Sequence, residues 1–168
     1  MTDTIEKYVL AAAREAYSAQ CDLRRRRMRY KRFTYGDQWG DMVRDSRGAL
    51  VREGDLMAAG GRQPLTNNLI RRLVKTIVGR WRTMAAESRR YDDPALGAQL
   101  NSLAELDARM LEEFLISGCA IQRVSRENRV PVGTAVWVDN VSPRDFFVNA
   151  FRDPRGHDIR LVGMLHEM

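Results

Sequence analysis

Apolar residues recur every three or four positions in three segments before Gly118, a spacing typical of amphipathic helices. The first segment covers residues 3–30, and the glycines at positions 36 and 40 predict that its helix ends by about Thr34. The second begins with Thr66 as an N-cap and continues to about residue 88. The third follows Pro94 and stops at Gly118, where glycine favours a C-terminal cap.

The stretch between the first two helices, residues 42–64, has no clear period of either kind. It is polar and contains several glycines, as in "EGDLMAAGGRQP". A long connecting loop is therefore predicted, with a short turn of helix around residues 41–47.

Beyond Gly118 the period changes from 3.6 to about 2, which predicts strands. "CAIQRVSRE" alternates, "ENR" predicts a turn, "TAVWVDNVS" is β-branched and aromatic, and "DFFVNA" is short and apolar. "DPRGHD" predicts another turn, and "IRLVGMLHEM" alternates again up to Met168. A strand that still runs at Met168 without an obvious pairing partner predicts that the natural polypeptide continues further.

Helices first and strands second favour an α+β fold, in which long N-terminal helices pack with a small, mostly antiparallel sheet. Residues 1–118 form the helical part and residues 119–168 the β-rich part. We expect the two parts to form one domain, because 168 residues with 44% hydrophobic content suffice for one core.

Bulk properties narrow the class of protein further. No stretch approaches the roughly 18 apolar residues of a membrane span, and "MTDTIEKYVL" is acidic and polar where a signal peptide is basic and then apolar. We therefore expect synthesis and retention in a cytoplasm and no membrane partner. Cys21 and Cys119 lie in unrelated contexts, so we expect two reduced, mostly buried thiols and no disulfide or zinc site.

Residues 66–82, "TNNLIRRLVKTIVGRWR", combine an apolar and a basic face on one predicted helix. At about 100° per residue one continuous half of this helix is apolar. That half consists of Leu69, Ile70, Leu73, Val74, Ile77, Val78, Trp81 and Met84. We predict that it is core, and that the basic side faces water, acidic protein neighbours or DNA phosphates.

A second basic segment is "RRRRMRYKR", residues 24–32, on a chain of formal charge +6. Four successive arginines point around all sides of a helix, so they cannot all face water. Salt bridges within or between subunits, contact with nucleic acid, and a solvated run remain open. The candidate contacts to DNA or a neighbouring subunit are Arg24, Arg25, Arg26, Arg27, Arg29, Lys31, Arg32, Arg71, Lys75 and Arg82.

Patterns that carry chemistry are weak. Asp37 and Asp41 in "YGDQWGD" lack a third ligand at usable spacing, so this stretch is interpreted as a structural turn with Tyr35 and Trp39 against the core. The two histidines, at positions 157 and 166, have no nucleophile or ligand constellation around them, and no GxSxG, Walker A, GxGxxG or HExxH pattern occurs. We predict a non-enzymatic chain with no catalytic residue, no metal and no cofactor.

Several stretches in order resemble one family. "RFTYGDQWGD", "RQPLTNNLIRRLVKTIVGRWR", "LEEFLISGCAIQRVSRE" and "WVDNVSPRDFFVNAFRDPRGHDIRLVGMLHEM" are similar to the N-terminal part of portal proteins of tailed double-stranded DNA bacteriophages and their prophages. The resemblance covers residues 33–168 and rests on the order of these stretches. Portal subunits are usually several hundred residues long, so this chain would hold wing material and lack much of the tunnel.

The resemblance implies a subunit of a homo-oligomeric ring, usually of twelve copies, at the capsid vertex of a virion that is assembled in the host cytoplasm. Its implied partners are the terminase motor, capsid or scaffold protein, head-tail connector or tail proteins, and the double-stranded DNA that passes during packaging and ejection. Two other functions stay open: a basic nucleic-acid-binding protein, and a non-catalytic fragment of a larger enzyme.

Overall fold

The computed structural model describes residues 2–87, 100–130, 133–150 and 155–165. Its helices are α1 Thr2–Ala19, α2 Cys21–Thr34, α3 Glu53–Ala59, α4 Leu69–Glu87 and α5 Leu100–Ser117. Its strands are β1 Met42–Arg44, β2 Leu50–Arg52, β3 Ile121–Arg129, β4 Gly133–Val141, β5 Phe146–Val148 and β6 Val162–Met164. The α+β class is confirmed. The predicted single sheet is instead three separate antiparallel pairs, β1 with β2, β3 with β4, and β5 with β6.

The first helix is interrupted at Gln20, so the prediction of one continuous helix is wrong. Gln20 adopts φ −96° and ψ 9°, between α1 and α2. Its side-chain Nε2 donates to the Val148 carbonyl oxygen on β5 at 2.8 Å. Nearby, the rings of Tyr17 and Phe147 meet edge to face at 5.9 Å between centroids. The break therefore coincides with the place where α1 packs on β5, whereas the predicted end at Thr34 is confirmed.

The predicted loop at residues 42–64 contains regular structure, so that prediction is also wrong. β1 and β2 form a hairpin in the register Met42↔Arg52, and α3 follows directly. The Asp45 carboxylate accepts the backbone N–H groups of Arg47 and Ala49, each at 2.8 Å. Gly48 takes φ +81°, a left-handed conformation that glycine adopts without strain. This Asp-centred turn, not a turn of helix at residues 41–47, joins the two strands.

The core lies between α4 and α5. Its buried residues are Val74, Val78, Ala108 and Ile116, with Trp81, Leu111 and Leu115 packed around them. Ala108 is fully buried, and its small side chain lets the two helices approach closely. This cluster holds α4, which contains the basic residues predicted on this helix, against α5.

The ends of α4 and α5 can be compared with the ends predicted from the sequence. α4 begins at Leu69, and the Asn68 carbonyl accepts the Arg72 N–H at 3.1 Å, so Thr66 is not the N-cap. The predicted end near residue 88 and the α5 start after Pro94 lie outside the described residues. The cap at Gly118 is confirmed, since it takes φ +67° and its N–H donates to the Phe114 carbonyl at 2.8 Å.

The β-rich part differs from the prediction at two places. β3 and β4 pair from Ile121↔Val141 to Arg129↔Gly133, so "ENR" belongs to a strand and is not a turn. β6 ends at Met164 and pairs with β5, so the last strand has a partner and does not extend through Leu165. Residues 166–168 lie outside the described part of the chain.

Candidate assembly surface

The arginine run on α2 is bound largely by its own chain. Arg24 is 8% exposed, with its guanidinium carbon 3.5 Å from the centroid of the Tyr17 ring. Its Nη2 donates to the Tyr17 carbonyl oxygen at 2.5 Å. A buried guanidinium needs such hydrogen bonds, because its charge loses water. Arg24 is therefore a packing residue of the α1–α2 junction.

Two further arginines of α2 converge on the turn that follows the helix. Arg29 Nε lies 2.7 Å from Asp41 Oδ2, while Arg32 pairs with Asp41 Oδ1 and lies 3.6 Å from Asp37 Oδ2. The two aspartates considered as metal ligands are thus partners of arginines. Within the described residues, no group of three Asp, Glu, His or Cys side chains is placed to hold a metal ion.

The other basic residues of α2 differ in their surroundings. Lys31 Nζ lies 2.5 Å from Glu113 on α5, and Arg25 pairs with Asp22 at 3.2 Å on the surface. Arg26 and Arg27 form no ion pair with the described part of the chain. The Arg27 Nε is buried without a hydrogen-bond partner there.

The basic side of α4 faces acids of α5. Lys75 Nζ lies 2.9 Å from the Glu112 carboxylate, and Arg82 Nη2 lies 2.7 Å from Glu105 Oε2. The Arg71 guanidinium lies 5.8 Å from the centroid of the Tyr35 ring, within the range of a cation–π contact. Of the alternatives for this basic side, the structure shows acidic neighbours within one subunit.

Glu112 joins three elements at one point. It accepts the Tyr35 hydroxyl at 2.6 Å and Lys75 Nζ at 2.9 Å. Burial opposes its ionisation, but the hydrogen bonds from Tyr35 and Lys75 outweigh burial and lower its pKa. Burial, and then the bond to Glu112, raises the pKa of Tyr35 to about 12. The turn after α2 is thereby tied to both core helices.

The same turn is fixed to the start of α4 by amide groups. Gln38 Nε2 donates to the Asn67 carbonyl at 2.9 Å, and the Asn67 N–H donates back to Gln38 Oε1 at 3.2 Å. Trp39 is half-buried, and its Nε1 donates to the Leu65 carbonyl at 3.1 Å. The interpretation of "YGDQWGD" as a structural turn agrees with these contacts, although Tyr35 is 48% exposed.

Sequence reasoning missed a charged cluster on the β3–β4 hairpin. Arg129 binds Asp139 with two bonds of 2.9 and 2.6 Å, and Arg123 Nη2 lies 2.9 Å from the same carboxylate. The Arg129 guanidinium also lies 4.6 Å from the centroid of Trp137. The bonds from Arg129, against an opposing effect of burial, hold the pKa of Asp139 at about 2. Opposite charges at alternate positions of two paired strands were the available signal.

Only three of the eight apolar positions predicted as core on α4 are covered, so the prediction that all of this face is core is wrong. Val74, Val78 and the half-buried Trp81 contact α5. The uncovered positions share the adjoining arc of the helix, and we call them the α4 stripe. They are Leu69, Ile70, Leu73, Ile77 and Met84, between 38% and 68% exposed. One helix, α5, is too narrow to cover a full apolar half of another.

α1 carries a second uncovered apolar surface. Every residue of the range 4–11 is exposed, including Ile5, Tyr8, Val9 and Leu10. Large apolar side chains that are exposed side by side on a helix are typical of a surface that associates.

The cysteines and histidines add little to a candidate site. Cys21 is exposed and Cys119 half-exposed, so the prediction of a mostly buried thiol is wrong for Cys21. His157 interacts within the structure, and His166 lies outside the described residues. No helix in the described ranges is long and apolar enough to cross a membrane.

Comparisons with known proteins assign no family. No protein-family model matches the chain, and no significant match was found among curated proteins or solved structures.

Proposed function

We propose that this chain is the wing-containing, N-terminal part of a phage portal subunit, which acts by assembly into a ring at the capsid vertex and performs no bond chemistry. The assignment to portals rests on the ordered stretches in residues 33–168. The terminase motor, capsid or scaffold protein, connector or tail proteins, double-stranded DNA and a place in the virion are proposed with it.

The observation that best supports an assembly role is the environment of the two sides of α4, which is the opposite of what their polarity suggests. Its basic side is bound to α5 through Lys75 and Arg82, whereas part of its apolar side is exposed. Exposed apolar area drives association, since about 25 cal/mol is gained per Å² removed from water. A subunit of a ring needs such faces.

The competing function, nucleic-acid binding by the basic residues, is less well supported. Six of the ten candidate residues pair with carboxylates of the same chain; these are Arg25, Arg29, Lys31, Arg32, Lys75 and Arg82. A phosphate must compete with those carboxylates. If DNA gripping were the function, log K would fall by nearly one unit per contact for each unit of log salt. We expect negligible DNA binding by this chain at physiological salt.

Electron microscopy of the full-length protein tests the proposal. Rings with a central hole near the width of a DNA duplex are the expected result. Uniform monomers at high concentration, together with tight, salt-sensitive DNA binding, would instead favour the nucleic-acid-binding function.

A further inference from the structure

The N-terminal half of α1 extends away from its own chain. Residues 4–11, which with half-buried Ala12 we call the α1 arm, are exposed at every position. The contacts of α1 come from its second half, where Ala16 is 6% exposed and Tyr17 meets Phe147. The arm is nevertheless apolar on one side, because Ile5, Tyr8 and Val9 are spaced as on one helical face.

The α4 stripe has a matching spacing and a complementary charge. Ile70, Leu73 and Ile77 follow one another at helical intervals, and Arg80 lies on the same arc, between Ile77 and Met84. Arg80 is exposed and forms no ion pair within the described ranges. The stripe thus offers an apolar strip with one cation in it.

We propose that the α1 arm of one copy packs on the α4 stripe of a second copy, with Glu6 of the arm beside Arg80. Glu6 is exposed beside the apolar side of the arm, and it too forms no ion pair with the described residues. The inference rests on the proposed function only in that both require self-association. It adds which surfaces meet.

Charge and geometry favour a second copy as the occupant. Glu6 beside the arm and Arg80 on the stripe are exposed and carry opposite charges, and neither forms an ion pair with the described residues of its own chain, so two copies can satisfy both charges. Arm and stripe are different surfaces, so the contact is head-to-tail. Contacts of that type close into a ring or continue as a filament.

Cysteine cross-linking between two populations of chains tests the contact. In a background with Cys21→Ser and Cys119→Ser, one population carries Tyr8→Cys and the other Ile77→Cys. Mild oxidation of the mixture is expected to give a covalent dimer that contains one chain of each kind. The matched control is Gly79→Cys, on the opposite side of α4, where an added Cβ meets no atom within 4 Å. It should cross-link at least tenfold less.

A charge exchange provides the second measurement. Glu6→Arg or Arg80→Glu alone should weaken self-association about tenfold in sedimentation experiments, and the two together should restore it, because like charges at an interface repel. Folding of each variant is checked by circular dichroism.

The outcomes separate this inference from the proposed function. Rings seen by electron microscopy without the mixed cross-link would overturn the arm-to-stripe contact and leave the portal proposal standing. The mixed cross-link with open filaments and no rings would support the arm-to-stripe contact and overturn the portal proposal. Cross-links at Gly79→Cys as strong as at Ile77→Cys, or no self-association at all, would also overturn the contact.

Discussion

If Lys75 and Arg82 act within one subunit, reversing their charges should weaken the packing of α4 on α5. The free energy of unfolding should then decrease. Lys75→Glu replaces an attraction to Glu112 by a repulsion. The Glu112 side chain is 15% exposed and that of Lys75 is 52% exposed, so solvent screens this pair only in part. Loss of the pair and the new repulsion together should cost about 2 kcal/mol.

Arg82→Glu should cost less, because its partner keeps a second cation. Glu105 also pairs with Arg109 at 3.0 Å, and both Arg82 and Glu105 are about half exposed. We expect about 0.5 kcal/mol for this change. The double reversal should therefore lower the free energy of unfolding by roughly 2.5 kcal/mol, a large part of the stability of a small domain.

Urea unfolding followed by circular dichroism measures these changes, at low and at high salt. Arg72→Glu is the control, since Arg72 is exposed on α4 without a carboxylate partner in the described chain. Adding Glu112→Lys and Glu105→Arg to the double reversal should recover only part of the loss, because the Tyr35 hydroxyl then loses its acceptor and Arg109 loses its carboxylate partner. A double reversal that is no more destabilising than Arg72→Glu would refute the intramolecular role of the basic side.

Three further changes test other parts of the structure. Asp139→Asn should cost about 1 kcal/mol after allowance for solvent exposure. Arg129 depresses the pKa of Asp139 from 3.8 to about 2, so the stabilisation by the Asp139 carboxylate is present above pH 3.8 and lost as the pH falls towards 2. The free energies of urea unfolding of the unchanged protein and of Asp139→Asn should therefore converge near pH 2. Tyr35 should ionise with a pKa of about 12, above the ordinary 10.0, because of burial and then its bond to Glu112; its stabilising effect is present below pH 10 and lost towards 12, and Tyr35→Phe should remove the step near pH 12 from an ultraviolet titration. Gly118→Ala should cost about 1 kcal/mol in thermal unfolding, all of it from the left-handed backbone, because its Cβ would meet no atom within 4 Å.

Local chemistry decided which elements could be predicted. The cap at Gly118 depends on residues within one helical turn, so the sequence pattern was sufficient. The turn at Asp45 and Gly48 is equally local, and "DSRG" carried the signal for it. The break at Gln20 coincides with a bond to Val148, 128 residues away, and no local period contains such information.

The site was harder to predict than the fold, because a helical wheel shows which positions are apolar but not how much area a partner covers. Ile77 and Val78 are adjacent and both apolar, yet they are 38% and 4% exposed. The difference is set by where α5 lies. The same holds for Lys75, whose role depends on Glu112 being opposite it.

These pairings change which residues are available to a polyanion or another subunit. A paired cation such as Arg29 or Lys31 must give up a carboxylate before it can bind phosphate, and it leaves that carboxylate unpaired. Arg26 and Arg72 have no carboxylate to give up in the described chain. Contacts with DNA, if a ring brings it near, should therefore use such unpaired residues, while the paired ones hold the helices in the orientation that exposes the α4 stripe.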